Sequence, residues 1–554
     1  MKRKIAAALC IFALTAGAVF GTGLTEEASA VENYLDVMTA PGQLPIVTEP
    51  VTLSVLTIAG ANIIDIDTNY ATQWIEEQTG INLDFEILLT GSEAGERINL
   101  ILASGDALPD VMLNSGLQPR QLDLYGSQGR FLPLNDLIDE YGVEVKRMWA
   151  AEPAYRSQMT HIDGNIYALW DISVCHHCMY QSKFWINTEW LKNVGHDVPS
   201  TTEEFYEVLK TFKEQDANGN GDPNDEIPFS GAITGWNNSV DTFLMNAFIY
   251  NDRGSGYLNV VNDAVVPAFT QPEWRDGLTF FHRLYREGLL DHESFIQNVD
   301  QLAQLARAGD YNRLGVFPAG TPLMVVSGSG ERKREFAALP PLTGPKGNNT
   351  AAFYPPGVAF GRGARYVISA ESRMPQIAYR LGDFLLSEEA YYVTFFGEEG
   401  VNWRRANPGE VGVDGNPAIF KEINTPRNEP QQNQVLNHMV PVYVTQEQFL
   451  GRVTDISDPY YVEYWLERET TEHYDGHEPD QVLLPLKILI EDLAEYSELQ
   501  VTVNAYRAES FARFVTGDWD LEGDWDAYLR ELDQIGLDRY LQLTQEAWDR
   551  DYAD

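Results

Sequence analysis

Cysteine is nearly absent from this chain: three residues in 554, at positions 10, 175 and 178. That scarcity excludes a disulfide-stapled scaffold. Positive charge is also short, with 39 Lys and Arg against 82 Asp and Glu and a formal net charge of −43 at pH 7. A field of that sign repels phosphate backbones, so nucleic acid is not an expected partner. Beyond residue 30 no run is apolar enough to reach the roughly 20 residues that span a bilayer, so the mature chain is expected to be soluble. Catalytic signatures are missing too. There is no G-x-S-x-G elbow, no H-E-x-x-H and no P-loop, and His176 and His177 have no recognisable Ser or Asp framework. The expectation is a chain that is not an enzyme.

What is present begins with an export signal. Lys2, Arg3 and Lys4 precede an apolar run from Ile5 to about Leu24, and Ala28-Ser29-Ala30 supplies a small-x-small cleavage site. Residues 1–30 therefore read as a signal peptide, with the mature chain starting at Val31. Cys10 follows Leu9, and not the small residue a lipoprotein signal wants, so lipid anchoring is disfavoured. The destination is the periplasm or the cell surface. Residues 31–47 are broken by Pro41 and Pro45 and read as an irregular leader.

Strand and helix patterns then alternate. Val51 to Ile58 and Ile81 to Leu89 read as strands, Asn69 to Thr79 as a helix ending at Gly80, and Asp110 to Leu113 as a short buried strand. Such alternation implies βαβ units, a mainly parallel sheet and an α/β fold. Pro272 to Arg286 and Val299 to Ala308 follow as amphipathic helices, and Leu323 to Ser327 as a strand. The C-terminal region reads as helical over Met374 to Leu386, Val482 to Phe514 and Asp524 to Asp551.

The sharpest local motif runs from Asp216 to Glu226. Asp216, Asn218 and Asn220 place short oxygen side chains at alternate positions, and Gly221 allows the tight turn of a D-x-N-x-N-G calcium loop. Ca²⁺ takes six to eight oxygens, so Asp222 is assigned through its carbonyl and Asp225 or Glu226 as the closing carboxylate. The loop departs from an EF-hand because its twelfth position is Ile227. A polar turn that caps the preceding helix is the alternative reading.

Cys175-His176-His177-Cys178 admits three readings: a disulfide between Cys175 and Cys178, as export allows; a metal site; or a redox motif. Sugar recognition calls for flat aromatic faces beside polar groups. Trp170, Trp236 and Trp403 sit in polar, loop-like contexts, as does Tyr354, and Arg404 follows Trp403. Core packing is the competing explanation for each tryptophan.

An ordered set of segments resembles the extracellular solute-binding proteins of carbohydrate ABC importers, especially the alginate-oligosaccharide-binding branch. The set includes Trp74-Ile75-Glu76-Glu77-Gln78-Thr79-Gly80, Leu102-Ala103-Ser104-Gly105-Asp106, Asp163-Gly164-Asn165-Ile166-Tyr167, Ala338-Leu339-Pro340-Pro341-Leu342 and Asp524-Trp525-Asp526-Ala527-Tyr528. The resemblance implies a two-lobed periplasmic-binding-protein fold, type II-like, with discontinuous lobes, a hinge, a central cleft and a helical C-terminal region. It places one lobe at 48–168 plus 318–370 and the other at 172–315 plus 375–554. Ser104, Asp106 and Asn165 join the candidate ligand contacts through these segments. The implied role is capture of an oligosaccharide, by a monomer, for a membrane permease. A secreted enzyme acting on polysaccharide is the competing class, and a surface sensor that does not transport is the third.

Overall fold

The computed structural model describes residues 33–60, 62–89, 92–307, 309–326, 330–355 and 361–552; the expected signal peptide lies outside them. Local sequence sets the first elements. The Asn69 side chain accepts from the Ala71 amide and caps helix Tyr70–Thr79, and Gly80 ends it in the left-handed region. Strands Val51–Ala59 and Ile81–Leu89 flank that helix and pair in parallel along their whole length.

They belong to a six-stranded sheet in the order Tyr443–Val444, Ala168–Ser173, Gly361–Ile368, Val111–Leu113, Val51–Ala59, Ile81–Leu89. Only Gly361–Ile368 runs against its neighbours. Both faces of this sheet are covered: Leu53, Val111 and Leu113 point into one apolar cluster, Leu56 and Met112 into another. A second sheet, in the order Phe336–Leu339, Phe184–Asn187, Leu314–Pro318, Ile227–Phe229, centres the other lobe. Its core is aromatic and contains Trp185, Trp190, Phe205, Trp465 and Phe514. The fold is a two-lobed α/β architecture with discontinuous lobes. The chain passes between lobes three times: after Ser173, after Leu339, and between Val444 and helix Val462–His473.

Several boundaries differ from expectation. Leu314–Pro318 and Phe336–Leu339 both belong to the second sheet, and Ala319, Val326 and Ala351 to its core, so the segment from 318 to about 352 lies in the second lobe and not the first. Conversely, helices Pro375–Leu385 and Glu388–Phe396 bury Ile377, Leu381, Tyr392 and Phe396 in the first core, and residues 375–444 belong there. An amphipathic pattern identifies a buried face without naming the sheet that covers it. The leader is also part of the first lobe. Ile46 and Val47 are buried, Met38 bridges Val47, and the Arg380 guanidinium donates to the carbonyls of Ala40 at 2.8 Å and Gln43 at 2.9 Å.

Two element types differ as well. Residues Leu323–Val326 form a helical turn and not a strand. The long C-terminal helix begins at Leu493 and not near Val482. Pro485 lacks a backbone donor and disfavours helical geometry at Leu484, so this stretch is an irregular strap. No helix among the described residues is long and apolar enough to cross a membrane.

Candidate functional site

Ligands of open α/β sheets bind beyond the carboxyl ends of the parallel strands. Here strand Val111–Leu113 runs out into Gly116-Leu117-Gln118-Pro119, and Trp170 lies within Ala168–Ser173, on the other side of Gly361–Ile368. These residues form one wall of a 570 Å³ cavity. The opposite wall comes from the strap, through Pro485, Leu486 and Lys487, and from Tyr552. The cavity therefore lies between lobes.

Its polar groups are held from behind. Asp123 Oδ1 lies 2.6 Å from His161 Nδ1, and both residues line the cavity. Arg365 donates to Asn114 Oδ1 at 2.7 Å and lies 3.7 Å from Asp171 Oδ2. Asp171 is fully buried and is also 3.1 Å from His438 Nδ1. Trp170 Nε1 is buried with no hydrogen-bond partner among the described residues. The Trp170 ring, beside Gln118, Gln158 and Thr160 in the cavity wall, sets an aromatic face next to hydroxyl-recognising groups. A larger cavity of 1030 Å³ is lined by the second lobe alone, with Tyr250, Asn259 and Thr350 in its wall. A ligand there would touch the two lobes no differently in open and closed states, and could not drive closure.

The expected ligand contacts separate. Trp170 lines the cavity. Trp236 is 37 % exposed at the hinge edge of the second sheet, where its Nε1 donates to Gln181 Oε1 at 2.7 Å. Its ring lies over Gly320, where a Cβ would meet it at 2.5 Å. Tyr354 lies in the second crossing, donating to Asp252 Oδ1 at 2.7 Å. Trp403 is a correction: it is 3 % exposed in the first core, stacked on Tyr392 with ring centroids 4.6 Å apart. Arg404 is another, engaged by Glu410 in a paired ion bridge at 2.6 and 2.8 Å. Ser104 and Asp106 precede strand Val111–Leu113, at the end opposite the cavity, and close a local turn in which Ser104 Oγ accepts from the Asp106 amide. Asn165 donates to Asp163 and to Tyr167 Oη and does not line the cavity. Asp123, His161, Arg365, Lys487 and Tyr552 carry no local signal in the sequence; Pro485 is the one signal that could have broken the expected helix at the strap.

The first crossing contains a disulfide between Cys175 and Cys178. His176, beside it, has Glu467 at 2.8 Å and Asp475 at 2.9 Å on its two ring nitrogens. The Glu467 hydrogen bond raises its pKa against the opposing effect of burial. His177 Nε2 lies 3.1 Å from Glu463 Oε2. Burial would raise the Glu463 pKa, but His177 and Arg452 hold it at about 2. Thus the first and third crossings are clamped by charge.

In the 216–226 loop, the Asp216 carboxylate accepts from the amides of Asn220 at 3.0 Å and Gly221 at 2.8 Å. Gly219 and Gly221 have φ of 74° and 93°, the left-handed geometry that favours glycine. Asn218 and Asn220 converge on Asp225 Oδ1 at 2.9 and 3.1 Å. Glu226 Oε1 accepts from the Asn218 amide, and its Oε2 is buried with no hydrogen-bond partner. Burial pushes the Glu226 carboxyl up; the Asn218 amide opposes this, and the charges of Asp225 and Asp216 add to it. Asp222 Oδ1 accepts from the Asn224 amide at 3.2 Å. An all-oxygen donor set with an orphaned carboxylate oxygen fits a hard divalent cation.

The family model for the bacterial extracellular solute-binding protein matches residues 60–392. The fructooligosaccharide ABC transporter substrate-binding protein FusA of Streptococcus pneumoniae serotype 4 is 30% identical over 495 residues, 86% of each chain. FusA in complex with kestose superposes with a TM-score of 0.74 at 25% identity, covering 90% of this chain and 99% of that one. FusA has also been solved as an EF-hand mutant with fructo-nystose, with the same TM-score of 0.74. A solute-binding protein described as HMO-binding, from Bifidobacterium longum infantis, shares the fold with a TM-score of 0.78 at 19% identity, covering 92% of this chain and 100% of that one.

Proposed function

Because this chain belongs to the bacterial extracellular solute-binding proteins, we propose that it captures an oligosaccharide between its lobes and delivers it to the permease of an ABC importer. The observation that carries this reading is the 570 Å³ cavity shared by both lobes, with the Trp170 indole in its wall. A sugar touching both walls binds the closed form better and shifts the population toward it. The kestose complex of FusA supports a neutral oligosaccharide as the first ligand to try. Binding without turnover is the proposed role, carried out outside the cytoplasm by a monomer released from its signal peptide.

Calcium would be held by Asp216, Asn218, Asn220, the Asp222 carbonyl, Asp225 and Glu226, where it would neutralise the converging carboxylates and fix the loop. The FusA EF-hand variant supports such a site in a relative. Trp236 and Tyr354 would meet the ligand from the hinge side.

Calorimetric titration against neutral, acidic and amino oligosaccharides, kestose included, tests the reading. One class should bind with a stoichiometry of about one, the ratio of a single inter-lobe site. No heat from any class would sink it, and product formation from a polysaccharide panel would favour the secreted enzyme.

A further inference from the structure

Two cavities lie along the face between the lobes. Beside the 570 Å³ cavity is one of 360 Å³, walled by Arg120 from the first lobe and by Ile488, Leu493, Tyr496, Ser497 and Gln500 from the second. Both volumes fall within the roughly 300–1,000 Å³ of small-ligand sites. Their chemistry is also alike. One offers Trp170 and Tyr552 beside Gln158 and Thr160; the other offers Tyr496 beside Ser497 and Gln500.

Four residues line both cavities: Gln118, Pro119 and Asp123 from the first lobe, and Leu486 from the strap. They form the partition, and Leu486 is the second lobe's whole share of it. The backbone on either side of Leu486 is tied to the end of the last helix. Tyr552 Oη donates to the Pro485 carbonyl at 2.6 Å, and the Lys487 amide donates to Asp551 Oδ2 at 2.9 Å. The Arg550 guanidinium donates to the Lys487 carbonyl. Three consecutive residues of one helix end therefore fix a half-buried leucine where the cleft would otherwise be continuous.

We infer that Leu486 sets the length of oligosaccharide the cleft accepts. With the partition intact the ligand is confined to the larger compartment; without it the two compartments join into one longer groove. This rests on the sugar-binding reading above.

The test is calorimetry on the full chain, Leu486→Gly and Leu486→Trp, with disaccharide-to-hexasaccharide ladders of β-fructan, α-glucan and alginate oligomers. The wild type should show an affinity optimum at short length. Leu486→Gly should improve the longer sugars relative to the shorter by about tenfold, the scale of a changed apolar contact in a binding pocket. Leu486→Trp should move the ratio the other way. Melting curves check that both variants fold; if the glycine variant does not, the tryptophan variant decides. A wild type that binds, with the long-to-short ratio unchanged in the folded variants, overturns the partition and leaves the sugar reading standing. So does a wild-type affinity that keeps rising to the hexasaccharide. No binding of any ladder by any of the three proteins overturns both.

Discussion

The 216–226 loop and the inter-lobe cavity are both candidate sites, but they are assembled in opposite ways. The loop draws all its donors from 11 consecutive residues, closed by hydrogen bonds from Asp216 to Asn220 and Gly221. The cavity brings Gln118, Trp170, Arg365 and Leu486 together from four separate segments of the chain. Local chemistry is written as spacing and can be read directly. A surface between lobes depends on which sheet each segment joins, and spacing does not carry that information.

The largest expected effect separates a core tryptophan from a cleft tryptophan. Trp403→Ala should cost about 3–5 kcal/mol of stability, the usual range for a buried aromatic, because it empties the stack on Tyr392. Denaturant unfolding measures it, and a neutral result would contradict a packing role for the Trp403 stack in the first core. Removing calcium comes next. If the loop holds the ion, chelation should lower stability by about 2.7 kcal/mol relative to calcium at a hundred times its Kd. Asp216→Asn should abolish that difference without changing sugar affinity. A coupled loss of sugar binding would erase the distinction between the two sites.

Trp170→Ala should weaken sugar binding by about 2 kcal/mol, roughly 30-fold, while chelation leaves its effect unchanged. Titration calorimetry with and without chelator reads both. The smallest effect belongs to the clamp between crossings. His176 has a folded pKa above its ordinary 6.5 because Glu467 accepts from it. Its contribution to stability is therefore complete below 6.5 and is lost as pH rises through the raised value. His176→Gln should flatten that alkaline slope in urea melts followed across pH. An unchanged slope would mean that the ring does not titrate there. On the acid side, Glu463, held at about 2 against an ordinary 4.5, contributes above 4.5 and loses its share as pH falls toward 2.

Much of the fold was legible where local rules were enough. Asn69 and Gly80 marked the ends of their helix, and the helix over Pro272–Arg286 followed from its apolar face and leading proline. Lobe membership was less legible. Helix Pro375–Leu385 has an unmistakable buried face, but nothing in its sequence chooses between the two cores. The strap is not legible as such because Val482-Leu483-Leu484 and Ile488-Leu489-Ile490 are apolar enough for a helix, and only Pro485 between them opposes one. Among the tryptophans singled out for their polar neighbourhood, Trp170 lines the inter-lobe cavity. The same argument failed at Trp403, whose polar neighbours Asn402 and Arg404 are engaged by Asn424 and Glu410. Asp123 and His161 were invisible because their meaning lies in a 2.6 Å contact across 38 residues.

The most direct test of the inter-lobe claim is a crystal structure with the tightest-binding oligosaccharide. The account predicts sugar density between the lobes, touching Trp170 on one side and the strap or Tyr552 on the other. Density confined to the 1030 Å³ cavity of the second lobe would contradict it.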